Sequence, residues 1–543
     1  MKIETNLDKY QSAVDTALIQ IADANVVERI WEHDHSVWKP DPDEISNRLG
    51  WLHTPEDMQA NIQEIQGLVQ VVRDDGYTNV LLLGMGGSSL APEVFSKSFG
   101  AAEGFLQLDV LDSTDPGAVQ SYADKLDLSK TLFIVATKSG GTVETFSFFK
   151  YFYNQILAAV GEEDVGQHFV AVTDPGSKLV DVGEQYKFRH IFKNDPNIGG
   201  RYSALSYFGM VPAALLGVDI ALLLEQAREM AAQCQQQIIE NPGAQLGAIL
   251  AELAKAGRDK LTFLTSPAIS SFGDWVEQLI AESTGKEGKG ILPIAGEKIG
   301  ASEVYADDRV FVVLELNGEH IDTDDLEKAG HPVIRISLEN IYEFGGQFFL
   351  WEFATAVAGH GLGIQPFDQP NVESAKVLAR EMVAAYQSEG KLPEGDTTNA
   401  SPEDFSNFLK QAKNGDYFSI QAYVTPNAET TRALDALRLK LRDKYKLATT
   451  VGYGPRFLHS TGQLHKGDGG IGLFIQFVSS TRNDIDIPNE AGQDASNMTF
   501  GVLKQAQALG DAAALQAANR RVLSMSVEAD PISQINHLAE TLI

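Results

Sequence analysis

The stretch FIVATKSGGTVET (133–145) decides the reading of this chain. An apolar run, Phe133 to Val135, breaks off into Thr137, Lys138, Ser139, Gly140, Gly141 and Thr142, and Val143, Glu144 and Thr145 then open a predicted helix. A strand that ends in small hydroxylated residues and glycines just before a helix makes an anion cradle. Backbone N–H groups point outward, hydroxyls donate, and the helix dipole favours negative charge. The stretch lacks the spacing of a P-loop, G-x-x-x-x-G-K-[ST], and of the dinucleotide fingerprint G-x-G-x-x-G. Taken alone it is equally compatible with a strand-to-helix turn capped by Ser and Thr.

Neighbouring stretches repeat the plan. NVLLLGMGGSSLAPEV (79–94) runs from an apolar strand into Gly84, Gly86, Gly87, Ser88 and Ser89. VLDSTDPGAV (110–119) and VAVTDPGSKL (170–179) do the same with Asp, Thr and Ser at their turns. Strand-like runs that end in polar turns, with helical patterns between them, predict a parallel α/β sheet whose ligand sits at the carboxyl ends of the strands.

Composition narrows the function class. With 543 residues the chain is expected to hold several domains. A net charge of -31 opposes nucleic acid and anionic membranes as partners, but leaves room for an anionic small molecule where Lys and Arg gather locally. The one cysteine, Cys234, excludes an intrachain disulfide framework and cysteine-based metal clusters, and reads as an ordinary helix residue. MKIETNLDKY has no apolar signal core and no segment reads as a membrane span, so a cytoplasmic protein is expected.

Residues 1–70 read as helical, broken by KPDPDE (39–44), with Trp31, Trp38 and Trp51 packed on a neighbour. Residues 71–225 read as a first α/β domain and 226–376 as a second, with predicted strands LTFLT, RVFVVLEL and PVIRISL and a helix over FLWEFATAVAGHGLG. Residues 219–257 read as a helical connection, and EGKLPEGDTTNASPED (389–404) as a linker or surface loop. Residues 377–543 read as a smaller C-terminal α/β extension.

Three further segments carry candidate chemistry. IGGRYSALS (198–206) puts Arg201 on a tight turn, where its fixed charge can face a ligand or simply solvent. GDWVEQLIAESTGKEGKG (273–290) ends an apolar helix pattern at Glu282, a candidate general base, or a solvated helix end. PFDQPNVESAK (366–376) is a turn and a helix start, with Lys376 inside the first two turns.

ATKSGGTVET resembles the phosphate loop of sugar-isomerase (SIS) domains. With GMGGSSLAPEV, GGRYS, AESTGKEGKG and FDQPNVESAK in this order, the chain resembles the glucose-6-phosphate isomerase family. More narrowly, it resembles the isomerase part of bifunctional transaldolase/glucose-6-phosphate isomerase proteins, without a transaldolase region. The resemblance implies two SIS-type, doubly wound parallel-sheet domains with the site between them, plus the smaller C-terminal segment. It implies a phosphosugar substrate held by Gly87, Ser88, Thr137, Lys138 (through its backbone amide), Ser139 and Thr142. Glu282 would move a proton between C1 and C2, Arg201 would stabilise the enediolate, and Gln369 and Lys376 would line the sugar end. Such chemistry requires no metal or organic cofactor, and the family implies a homodimer.

One departure stands out. The family's ring-opening histidine falls between the glutamate motif and FDQ, where this chain has only His320, His331 and His360, none in the family's context. His331 and His360 read as structural. HSTGQLHKG lies instead at 459–467. The expectation is that this segment folds back, or reaches a neighbouring subunit, and brings His459 to ring opening; the alternative is a polar loop between strands. A zinc site at His459 and His465 is disfavoured, since no carboxylate or thiol completes a ligand pattern. Gly140 and Gly141 remove side chains found in Thr-rich phosphate loops, which suits a broader substrate range such as mannose 6-phosphate. The competing readings are a non-catalytic phosphosugar sensor, which would need no Glu282, and an amidotransferase-type sugar isomerase, against which FDQPNVE and AESTGKEGKG argue.

Overall fold

The strand Thr131–Ala136 is buried along its whole length, as the centre of a sheet covered on both faces must be. Its sheet holds five parallel strands, in the spatial order Gln107–Leu111, Asn79–Gly84, Thr131–Ala136, Phe169–Thr173 and His190–Lys193. The computed structural model describes residues 2–236, 240–393, 395 and 397–542.

A second sheet repeats the order with Leu292–Ile294, Lys260–Thr265, Arg309–Leu316 and Val333–Leu338. Its fifth place is taken by Lys2–Asn6, which runs antiparallel to Val333–Leu338. The expectation that residues 1–70 are helical therefore fails at its first residues. KIETN is a strand only because the edge of another sheet offers it partners. The rest of that segment is mostly helical, and its tryptophans do pack on neighbours: Trp51 is fully buried and the Trp38 indole donates to the Ala356 carbonyl at 2.8 Å.

The C-terminal segment has a five-stranded sheet of its own, in the order Ala448–Tyr453, Tyr417–Tyr423, Gly472–Ser479, Arg521–Val527 and Thr397–Asn399, all parallel. The four-strand core is thus the same in all three sheets. Only the fifth place differs, filled by the next strand in the first sheet, the N-terminus in the second, and an earlier strand in the third. Thr397–Asn399 and the start of the helix Pro402–Leu409 fall within the stretch expected to be a linker, of which residues 394 and 396 lie outside the described residues. The helical connection consists of Ile220–Gln233 and Pro242–Lys255, with 237–239 between them also outside the described residues.

The helix Phe344–Leu362 is apolar around most of its circumference and almost wholly buried, packed against both of those helices. It anchors the largest core cluster with Trp51, Trp275 and Trp351. No helix among the described residues is long and apolar enough to cross a membrane.

Sheets of this order reverse direction between their first and third strands, and a crevice opens there at the carboxyl ends. In the first sheet those ends are Gly84 and Ala136, the roots of the two loops picked out by sequence. In the third they are Tyr423 and Ser479. That crevice is closed by a residue of the first unit. Asp115 takes a hydrogen bond from Thr425 at 2.7 Å and pairs at 3.0 Å with Lys504, which also donates to the Ser479 carbonyl. The third unit is docked by its own ligand end onto the first.

Candidate active site

The two loops are shaped by close backbone approaches. At Gly140 φ is +66°, and a Cβ there would meet the backbone nitrogens of Lys178 and Leu179 at 2.8 Å. The loop is thereby pressed onto the start of the helix Lys178–Gln185. Thr137 and Thr142 close its mouth, with their hydroxyl oxygens 2.9 Å apart. A Cβ on Gly87 would lie 2.0 Å from the Gly200 carbonyl oxygen, so the glycine-rich loop touches the arginine turn directly. Ser88 is buried beside it. The Lys138 side chain leaves the loop. Its ammonium pairs with Asp174 and donates to the Pro196 carbonyl, away from the mouth of the loop.

Arg201 and Glu282 form a buried pair with 3.2 Å between Nη1 and Oε2. The guanidinium also donates to Ser283 Oγ at 2.8 Å and to the carbonyls of Pro366 and Asp368 at 2.6 and 2.9 Å. A planar fork satisfied on three sides is fixed in direction, as a point cation would not be. The helix Phe272–Thr284 carries Glu282 in its last turn, with Gln278 one turn earlier on the same face. Gln278 Nε2 lies 3.3 Å from Glu282 Oε2 and donates to the His459 carbonyl at 2.8 Å. Lys286 lies below, held by the Gln365 carbonyl and Asp368 Oδ1 at 2.7 and 2.6 Å. Burial, and then the Arg201 cation, push the Lys286 amine down to about 7 against the pull of Asp368.

The HSTGQLHKG segment folds back onto the first unit within the same chain. His459 Nε2 stands 3.0 Å from Glu144 Oε1, a residue of the phosphate-loop motif itself. Gln507 donates to the same Glu144 oxygen at 2.7 Å and accepts from Thr114 at 2.7 Å. Burial alone would raise the Glu144 carboxyl, but His459, by charge and hydrogen bond, and Lys376, by charge, hold it below the usual value. His465 is buried, with Nδ1 3.4 Å from Gln421 Nε2. His360 Nδ1 binds the Val37 carbonyl at 2.7 Å and His331 packs on Arg258, both outside this site.

A cavity of about 470 Å³ joins these parts, with Ser139, Thr142, Lys376, His459, Lys466 and Gln507 in its wall. That volume suits a small polar molecule. Lys376, in the first two turns of the helix Val372–Glu389, is exposed and has no ion-pair partner among the described residues. Lys466 is buried and pairs with Asp511 at 2.6 Å. Glu282, Arg201, Ser88 and Thr137 are not in the cavity wall. The first two lie behind it, joined to it through Gln278 and the His459 backbone. Gln369 is exposed at the head of the lysine helix and is likewise absent from the wall. Sequence reasoning missed Glu144, Gln278, Gln507 and Lys466. The i, i+4 spacing of Gln278 and Glu282 was the available signal for one of them. Gln507 and Lys466 reach the site only through the docking of the third unit.

A family model described as phosphoglucose isomerase matches residues 56–291 and ends before both the lysine helix and the His459 segment. A probable glucose-6-phosphate isomerase of Methanococcus maripaludis is 30% identical over 400 residues, covering 65% of this chain and 88% of that protein. A glucose-6-phosphate isomerase of Rubrobacter xylanophilus is 27% identical over 376 residues, covering 60% and 85%. The solved glucose-6-phosphate isomerase of Chlamydia trachomatis superposes with a TM-score of 0.57 at 17% identity, covering 70% of this chain and 87% of that one, a likeness of fold.

Proposed function

As the chain belongs to the phosphoglucose isomerase family, we propose that it interconverts glucose 6-phosphate and fructose 6-phosphate in the cavity between the phosphate loop, the lysine helix and the third unit. The observation that carries this reading is the meeting of His459 with the phosphate loop and Lys376 in one cavity. A molecule that only sensed phosphosugars would need the loop but neither the histidine nor the buried glutamate.

In this reading Ser88, Thr137, Ser139 and Thr142 hold the phosphate by hydroxyls and backbone N–H groups, with Gly87 and the Lys138 amide beside them. His459 gives a proton to the ring oxygen as its bond to C1 breaks, and the anomeric hydroxyl passes its proton to water as the C1 carbonyl forms, the imidazole being reprotonated from solvent. Glu144, itself held by Gln507, holds the imidazole, and Lys376 and Gln369 position the sugar. Glu282, which is reached from the cavity through the contact of Gln278 with the His459 backbone, then takes the proton from C2, and the electron pair moves onto the C1 oxygen. Arg201, fixed by Ser283 and two carbonyls, stabilises that negative charge. A proton passes from the C2 oxygen to the C1 oxygen, Glu282 returns its proton to C1, and the ketose results. The same reading includes a homodimer in the cytoplasm and the narrower kinship with the isomerase part of transaldolase/isomerase proteins, all carried over from family resemblance.

Conversion of fructose 6-phosphate to glucose 6-phosphate, coupled to a dehydrogenase that reduces NADP, tests the activity. Turnover well above an enzyme-free control is expected. Phosphosugar binding without turnover would replace this reading with that of a sensor.

A further inference from the structure

Between the three units lies a second cavity of about 470 Å³, whose wall includes Glu93, Asp112, Asp274 and Glu277 and the cations Lys97, Arg438 and Arg456. Arg456 stands three residues before His459, at the start of the one-turn 3-10 helix Arg456–His459. Its Nη1 meets Asp112 Oδ2 at 3.0 Å and its Nη2 pairs with Glu93, both residues of the first unit. The same Asp112 oxygen accepts from Ser89 at 3.2 Å, and the Ser89 hydroxyl also lies 3.1 Å from the Gly86 carbonyl. Gly86 in turn sits under the histidine, since a Cβ there would be 2.7 Å from the His459 carbonyl oxygen.

The chain of contacts Arg456, Asp112, Ser89, Gly86, His459 therefore closes on itself. It fixes the turn against the glycine-rich loop from one side, while Phe457 packs on Tyr423 and Gly452 of the third unit from the other. Apart from the pair of His459 with Glu144, Arg456 makes the only ion pairs from this turn to the first unit among the described residues. Removing its charge leaves Asp112 without an ion-pair partner among the described residues and Glu93 with Lys97 alone, at 2.8 Å, and the turn loses its anchor.

We propose that Arg456 is a positioning residue for ring opening: it holds the turn that carries His459 against the glycine-rich loop. The inference rests on the ring-opening role given to His459. A guanidinium is suited to the task because its fork reaches two carboxylates at once.

The test compares fructose 6-phosphate with 5-deoxyfructose 6-phosphate. The latter lacks the hydroxyl that closes the furanose ring, and its 6-oxygen is blocked by phosphate, so it is always open. Conversion of each is followed by phosphorus NMR for wild type, Arg456→Gln, His459→Ala and the double variant, with thermal unfolding as a check on folding. His459→Ala is expected to lose about 100-fold on fructose 6-phosphate and little on the open analogue, as for a lost general acid. Arg456→Gln is expected to lose about tenfold on fructose 6-phosphate alone, as for a catalytic group displaced by a fraction of an ångström, and to add nothing in the His459→Ala background. Asp112→Asn, which weakens the same anchor from the other side, is expected to behave likewise, and serves if Arg456→Gln does not fold. Equal losses of Arg456→Gln on both substrates, or a loss that persists in full without His459, would overturn the inference. A His459→Ala variant that keeps full activity on fructose 6-phosphate would overturn the role of His459, and the role of Arg456 with it.

Discussion

Replacing Gly87 by alanine is a steric experiment with a built-in control. The added Cβ would stand 2.0 Å from the Gly200 carbonyl oxygen, 2.3 Å from its carbon and 2.9 Å from its Cα. All three are backbone atoms, so no flexible side-chain end can swing away. A comfortable contact needs roughly 3.5 Å, and the two backbones must part by about 1 Å or more. Gly87 does not have the left-handed backbone that only glycine adopts freely, so the cost is one of space alone. The arginine turn is tied to Ser283, Pro366 and Asp368 and resists following. The glycine-rich loop must therefore give, carrying Ser88 with it. We expect a loss of about 1–3 kcal/mol in stability from overpacking, and of the order of 100-fold in kcat/KM, the effect of a shift near 1 Å in a positioned group. Gly200→Ala changes the other partner of the same contact, yet its Cβ would have no heavy atom within 4 Å, and it should be nearly neutral. Urea unfolding and the coupled assay read both variants. A Gly87→Ala enzyme within about threefold of wild type, where a displaced group should cost far more, or a Gly200→Ala enzyme as damaged as Gly87→Ala, would refute the reasoning.

Lys286 and Lys504 carry two further expectations. In the folded protein the Lys286 amine gives up its proton near pH 7, whereas in the unfolded chain it keeps it to about 10.4. Unfolding therefore takes up a proton between these values, and this residue's contribution makes stability rise with pH across that window. Lys286→Met should remove that rise from urea midpoints measured between pH 7 and 10; an unchanged slope would show that the amine stays charged when folded. Lys504→Met leaves the Asp115 carboxylate, itself 2% exposed, without its cation at the junction of the first and third units. It should cost about 3–5 kcal/mol in unfolding free energy, whereas a loss below about 1 kcal/mol would mean that the pair does not hold the docking.

The ends of the central strands were legible because glycines and hydroxylated residues interrupt fully apolar runs. That pattern placed the glycine-rich and phosphate loops, and the continuous apolar run RVFVVLEL placed the strand Arg309–Leu316 where it lies. Lys2–Asn6 was not legible, because KIETN has no strand pattern of its own and is a strand only through its pairing with Val333–Leu338. Arg521–Val527 was also missed, and the repeated strand order of the third sheet cannot be read without it. Arg201 and Glu282 could be named from their motifs, but not their pairing, which depends on the end of the helix Phe272–Thr284 and the arginine turn meeting at 3.2 Å. The side chain of Lys138 shows the opposite limit: the motif puts it in the loop, and Asp174 draws it out. The return of HSTGQLHKG to the phosphate loop was an expectation based on a missing histidine elsewhere. The residues that receive it, Glu144, Gln278 and Gln507, lie up to 363 positions apart, and nothing local in the sequence pairs any of them with His459.

The proposed reaction turns on Glu282 moving the proton between C2 and C1. Its most direct test is conversion of fructose 6-phosphate in deuterium oxide by wild type and Glu282→Gln, with the glucose 6-phosphate read by NMR. The wild type should turn over and place at most one deuterium, at C2, whereas Glu282→Gln should bind the phosphosugar yet lose about 100-fold or more in both turnover and deuterium uptake. A Glu282→Gln enzyme that keeps its turnover and still labels C2 would mean that another group is the base.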